Sequence, residues 1–189
     1  MRGFTLVEII VTLAIAALLV GFGVPGLTDL VREYRATRAI NGIVGQIQLA
    51  RSSAIISGET VSLCPTGGAG RELRCGARDS WHLGSMLFID QDRDGRFDSA
   101  DRLLRRFPSM GDSGQISWRS FRNRSSLSIL RNGLTNSQNG SFRYCPNNND
   151  AQFARQAIVN RQARVRHARD TDGDGFREAP GGAPISCPR

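Results

Sequence analysis

Two stretches place carboxylates at the spacing that a hard cation requires. Asp90-Gln91-Asp92-Arg93-Asp94-Gly95 sets three aspartates at alternate positions ahead of a glycine. Counted from Asp90 as position one, Asp98 and Asp101 stand at nine and twelve. A calcium loop gathers oxygens at such intervals and turns at a glycine in sixth place. The run departs from the helical calcium loop in two ways: its twelfth residue is Asp rather than Glu, and a strand-like segment precedes it. Asp170-Thr171-Asp172-Gly173-Asp174-Gly175 opens identically, with Gly181 at position twelve. Calcium is the one cofactor these residues suggest. The alternative is a pair of Asp/Gly hairpin turns whose side chains bond their own backbone.

A third stretch is basic. Arg161, Arg164, Arg166 and Arg169 follow Asn160 closely. On a strand, residues two apart share a face, so the guanidinium groups of Arg164 and Arg166 can meet one phosphate backbone. The chain has no lysine; all 25 basic residues are arginine, against 17 acidic ones, giving a net charge of +8. Such an excess suits a polyanion or an acidic membrane surface. The competing reading is a solvated strand face in an arginine-rich chain. Nothing points to an enzyme: there is no nucleophile elbow, P-loop or histidine-rich metal motif, and Asp79 near His82 is an unremarkable pairing.

Four cysteines, Cys64, Cys75, Cys145 and Cys187, lie outside the apolar N-terminus. An even number in such a place implies disulfides and an oxidising compartment. Three pairings are possible. Cys64–Cys75 and Cys145–Cys187 are favoured because each brackets a loop-like stretch rich in Gly, Pro or Asn. Zinc is disfavoured, since no CxxC occurs and His82 and His167 lack ligand spacing to any cysteine.

The elements that must carry these groups are read from periodicity. Residues 9–24 contain no charged side chain, and Glu8 is the single ionisable group from Gly3 to Pro25. A spanning helix needs about 20 apolar residues. Beyond Pro25, the apolar positions Leu27, Leu30, Val31 and Tyr34, then Ile40, Ile43, Ile47, Ala50 and Ala54, continue at helical spacing. Pro25 and Gly26 should bend or loosen the helix, and Gly58 should stop it. From residue 60 onward, short β-type runs at 60–64, 85–89, 103–107, 115–121, 127–130, 141–145, 157–160 and 163–168 alternate with turn signals. The fold class expected is α+β: a long N-terminal helix packed on an antiparallel sheet.

Gly3-Phe4-Thr5-Leu6-Val7-Glu8 followed by an apolar run resembles the class III signal of type IV pilins and type II secretion pseudopilins. The resemblance implies cleavage after Gly3 by a prepilin peptidase, N-methylation of Phe4, and a role for Glu8 and Pro25 in assembly. It implies no catalytic residue. Residues 1–3 would be the leader, 4–25 the transmembrane and assembly segment, 26–58 the amphipathic second half of the helix, and 59–189 a periplasmic β-rich domain. Arg2 fits the positive-inside rule, with the C-terminal domain periplasmic and the protein single-pass in the inner membrane. Later patterns, Leu49-Ala50-Arg51-Ser52-Ser53-Ala54, Val61-Ser62-Leu63-Cys64-Pro65, and Ser141-Phe142-Arg143-Tyr144-Cys145, resemble the GspH/FimT branch of minor pseudopilins and minor pilins. The function implied is a structural subunit that initiates or caps a pseudopilus or pilus. Its partners would be other pilins, met through the N-terminal helix. The run from Asn160 to Arg166 also resembles the Gly-Arg-x-Arg motif of DNA-binding FimT proteins, with Ala163 in place of Gly. DNA contact at a pilus tip, or calcium-stabilised adhesion, are the alternatives this branch admits.

Overall fold

A computed structural model describes residues 3–67, 73–111 and 113–187; at positions 20–26 it describes the backbone alone. Arg2 and the start of the leader lie outside the described residues. Helix α1 (Leu6–Ser57) comes first. Among the described residues it is followed by β1 (Val61–Gly67), β2 (Arg74–Cys75), β3 (Ser85–Ile89), β4 (Arg102–Phe107), β5 (Gly114–Ser120), β6 (Leu127–Ile129), β7 (Gly140–Pro146), β8 (Arg155–Val159) and β9 (Val165–His167). Two compact units are resolved, Met1–Arg35 and Ala36–Arg189.

In the first unit the helix begins with a cap. Thr5 Oγ1 accepts the Glu8 backbone N–H at 3.3 Å, and the Thr5 carbonyl accepts that of Ile9 at 3.2 Å. The Thr-x-x-Glu spacing is that of a capping box, which satisfies N–H groups that a helix start otherwise leaves bare. Every described side chain from residue 3 to 35 is exposed, including Leu6, Ile10, Leu13, Leu18 and Leu30. Asp29 and Arg32 pair one turn apart at 3.2 Å, an exposed pair of small energetic consequence. Among the described residues no helix is long and apolar enough to cross a membrane. The charge-free run 9–24 includes positions 20–24, whose side chains are outside that description. Backbone at Pro25 is helical.

In the second unit the helix buries one stripe: Ala36, Ala39, Ile40, Ile43, Ile47, Ala50 and Ala54 are each at most 5% exposed. The mix of alanine and isoleucine lets strands come close while isoleucine fills the gaps between them. Gly58 ends the helix in the left-handed region (φ +70°), its N–H returning to the Ala54 carbonyl at 3.1 Å.

The strands form two antiparallel sheets rather than one. In the first, β1 runs centrally, paired with β3 along one edge and with β6 and β2 along the other, and β4 continues outward from β3. In the second the order is β5-β7-β8-β9. One core serves both: Val61, Leu63, Leu87, Ile89, Leu127 and Ile129 from the first sheet join Ile116, Trp118, Phe142, Tyr144, Ala157 and Val159 from the second, over the helical stripe. Aromatics fill the space that a single continuous sheet would have closed. Trp81 meets Phe142 edge-on at 4.7 Å, and Phe142 stacks on Trp118 at 4.2 Å. Backbone bonds from Trp118 to the Arg78 carbonyl (2.7 Å) and from Met110 to the His82 carbonyl (3.0 Å) tie the Trp81 turn down.

Both faces of β3 are buried, and so are both faces of β1 from Val61 to Pro65. The outer face carries its own small cluster of Cys64, Met86 and Phe88, covered by Leu73, Cys75 and Phe97. Phe97 comes from the acidic loop between β3 and β4, and meets Phe88 at 5.2 Å. The edge strand β4 is exposed along Arg102 to Arg106. On the outer face of the second sheet, Ile185 of the C-terminal segment packs with Ala154 and Ala168.

Candidate functional site

At the N-terminus the cap puts Glu8 in the first turn of α1 and leaves its carboxylate exposed. Among the described residues no hydrogen bond or ion pair reaches that carboxylate. A helix start carries partial positive charge from its unpaired N–H groups, which favours an acid there. Thr5 escaped the sequence reading, although Thr-x-x-Glu ahead of an apolar run was its signal. Phe4 is 80% exposed.

The acidic loop leaves β3 at Asp90, a side chain only 2% exposed. Asp90 Oδ2 accepts bonds from Ser62 Oγ at 2.5 Å and from the Gly95 N–H at 3.0 Å. Ser62 Oγ lies 2.7 Å from Ser128 Oγ, so a hydroxyl pair across β1 and β6 steadies the carboxylate. Asp92 and Asp94 cap the turn, accepting the N–H groups of Asp94 (3.1 Å) and Arg96 (2.6 Å). One carboxylate oxygen from each of Asp90, Asp92 and Asp94 lies within 4.8 Å of the others. Asp98 and Asp101 are not in that group. Asp101 turns to the backbone, accepting from Gln91 (3.0 Å) and Asp98 (3.1 Å), while Asp98 caps Ala100 at 2.8 Å. Burial raises the Asp90 carboxyl above its ordinary range, with the Asp101 charge adding to the effect against the bonds from Ser62 and Gly95. Asp101 is also raised, first by burial and then by Asp98 and Asp92.

The second acidic run repeats this pattern. Asp170 Oδ2 accepts the Gly175 N–H at 2.9 Å, Asp172 that of Asp174 at 3.2 Å, and Asp174 that of Phe176 at 2.8 Å. Glu178, ninth in the count, groups with these three aspartates. Its Oε2 accepts from Thr171 N and Oγ1 at 2.8 and 2.7 Å. Counting to position twelve reaches Gly181, which offers no side chain; the carboxylate stands at position nine instead.

Arg161, Arg164, Arg166 and Arg169 are all exposed. They belong to the β8–β9 hairpin and the segment after it. Asn160 organises the turn: its Oδ1 accepts from Gln162 (3.0 Å) and Arg164 (2.9 Å), and its N–H bonds the Arg164 carbonyl at 3.1 Å. Ala163 closes it with φ +53° and an N–H to the Asn160 carbonyl at 3.0 Å. This is the position where a glycine would stand without strain. The left-handed conformation costs alanine roughly 1–2 kcal/mol. Its methyl is buried in the main core, and burial of one such group offsets about 0.8 kcal/mol of that cost. In the β8–β9 register Arg166 stands opposite Ile158, on the face away from the core. Arg119 and Arg143 also point outward from the same sheet. Arg143 donates to the Ser186 carbonyl at 2.6 Å, and burial, then the charge of Arg119, lowers its pKa.

Both disulfides are present. Cys64–Cys75 joins the middle of β1 to β2, and Cys145–Cys187 pins the C-terminal segment to β7. No cysteine is free.

The family model for the type II transport protein GspH matches residues 39–163, and that for the prokaryotic N-terminal methylation motif matches residues 1–24. A search of curated proteins found no match. Two crystal structures of the type IV minor pilin FimU of Pseudomonas aeruginosa share the fold, with TM-scores of 0.55 and 0.53. Each is 17% identical and covers 80% of this chain, and the match takes in 93% and 98% of the FimU chains. With the GspH match running from the buried half of α1 to the turn between β8 and β9, the chain belongs to the GspH family of pilin-like structural proteins and carries the N-terminal methylation motif.

Proposed function

We propose that the protein is a minor subunit of a type IV pilus or a type II secretion pseudopilus. It is cut after Gly3, methylated at Phe4, held in the inner membrane by residues 4–25, and drawn from there into a filament with its β domain in the periplasm. The observation that carries this reading is the exposed Glu8 in a capped first turn, inside the matched methylation motif. An acid so placed, with no partner among the described residues, suits the free amine of a neighbouring subunit's Phe4. Purification from a host with and without its prepilin peptidase tests this. Mass spectrometry should show a chain beginning at methylated Phe4 only when the peptidase is present, and that form should co-purify with sheared filaments or an assembled pseudopilus. A chain that keeps Met1 in both hosts defeats the reading.

Exposure of all four arginines of the hairpin region, with no ion pair to any of them among the described residues, favours a second role in contacting DNA. Such contact would be largely independent of sequence and sensitive to salt. The Arg164→Gln, Arg166→Gln variant should lose about tenfold or more in gel-shift affinity at low salt. Unchanged affinity rules out the hairpin as the contact.

A further inference from the structure

We propose that the loop of Asp90, Asp92 and Asp94 is a binding site for a divalent calcium-class cation that locks the β3–β4 connection onto the first sheet. Three carboxylates meet within 4.8 Å, and no ion pair to any of them occurs among the described residues. Acidic turns on a surface commonly do this without a ligand. Asp90 is different. Its side chain is 2% exposed, and its Oδ1 is buried with no hydrogen-bond partner. Ser62 and Gly95 use the other oxygen. A buried carboxylate oxygen without a partner forfeits its hydration and receives nothing back. A cation among the three carboxylates supplies that missing partner and neutralises the crowding of like charges in one step.

The donor set selects the ion. All are oxygens from carboxylates, which suit hard cations and exclude soft ones. Calcium accepts six to eight oxygens at about 2.3–2.6 Å, so ligands on opposite sides of it stand up to roughly 5 Å apart. The three oxygens fall within that span. Magnesium keeps most of its water and engages only one or two carboxylates. The backbone is already arranged around the site. Gly95 has φ +76°, and a Cβ there would come within 2.5 Å of Ser126 Oγ. Asp92 and Asp94 hold the turn through the oxygen that accepts an N–H, leaving their second oxygens for an ion. Because Asp90 follows directly on β3 and Phe97 seats on Phe88, the ion would couple the loop to the sheet. The run at Asp170 has similar turns, and Glu178 Oε1 there is likewise without a partner, but its three aspartates are all exposed and Glu178 is only half-buried, so it serves as an internal comparison.

The full chain, solubilised in detergent and stripped with a chelator, is titrated with calcium and followed by the amide signals of Gly95 and Gly175, each reporting its own loop. Gly95 should move saturably, with a Kd of about 10⁻⁵–10⁻³ M. The Asp92→Asn, Asp94→Asn variant keeps an oxygen for each backbone bond and should fold, as the spread of its amide signals will show, yet lose the Gly95 response by at least about tenfold in affinity. The matching Asp172→Asn, Asp174→Asn variant should leave the Gly95 titration unchanged. A Gly95 signal that stays still up to about 10 mM calcium, a shift confined to Gly175, or an unaltered Gly95 titration in the first variant each overturns the proposal.

Discussion

Replacing Glu8 with valine should leave the protein in the membrane and remove it from filaments. The carboxylate sits one turn into an otherwise apolar segment, where an acid costs about 2.5–3.5 kcal/mol on insertion scales. The partial charge at the helix start relieves part of that cost, and the Thr5 cap fixes where that charge lies. Full relief would come from the amine of Phe4 on an adjacent subunit. Valine removes the cost, so membrane retention should hold or rise. It also removes the attraction, so the fraction in sheared filaments should drop about tenfold or more, equivalent to at least ~1.4 kcal/mol per contact. Glu8→Asp, which keeps the charge on a shorter arm, should fall between the two. Quantitative blots of membrane and filament fractions read both numbers. Wild-type incorporation of the valine variant would sink the pairing role.

Loss of Cys145–Cys187 should be among the costliest changes in the β-rich domain. The bridge spans 42 residues of sequence, against 11 for Cys64–Cys75. In the chain-entropy picture these closures contribute about 4 and about 3 kcal/mol respectively. Cys145→Ser with Cys187→Ser should therefore lower the melting temperature by roughly 8–16 °C, at 2–4 °C per kcal/mol for a domain of this size. It also frees the segment that brings Ile185 onto Ala154 and Ala168 and places the Ser186 carbonyl on Arg143. The Cys64–Cys75 double serine variant should lose less. Calorimetry on both decides the order, and a larger loss for the shorter bridge would contradict the loop-length argument.

Much of this fold is legible in the order of the residues. The stripe from Ala36 to Ala54 has a period that only a helix fits, and the strands fall close to the β-type runs because turn residues bound them. The split into two sheets was not legible. It depends on where Trp81, Trp118 and Phe142 meet, and these residues are far apart in sequence. The two-residue strand β2 has no periodicity to detect and exists through its ladder to Thr66 and Gly67. In the acidic loop the aspartates at alternate positions were visible, but the burial of Asp90 was not, since it comes from Ser62 and Ser128 on other strands. Asp101 misled for a related reason: a carboxylate near free N–H groups turns to them first. Ala163 stands out in the sequence because it replaces the glycine of the motif it resembles, and its φ of +53° is a conformation that glycine adopts freely.

The outer strand of the first sheet has a consequence for life in a crowd. β4 offers an unpaired edge, and an open edge is a template on which another chain can add as a strand. In the proposed filament, where subunits would stand close together, such sideways growth would be a hazard. Arg102, Arg105 and Arg106 occupy three of the six positions of that edge, all exposed. Two such edges would repel before they could zip together, which would keep neighbouring β domains apart.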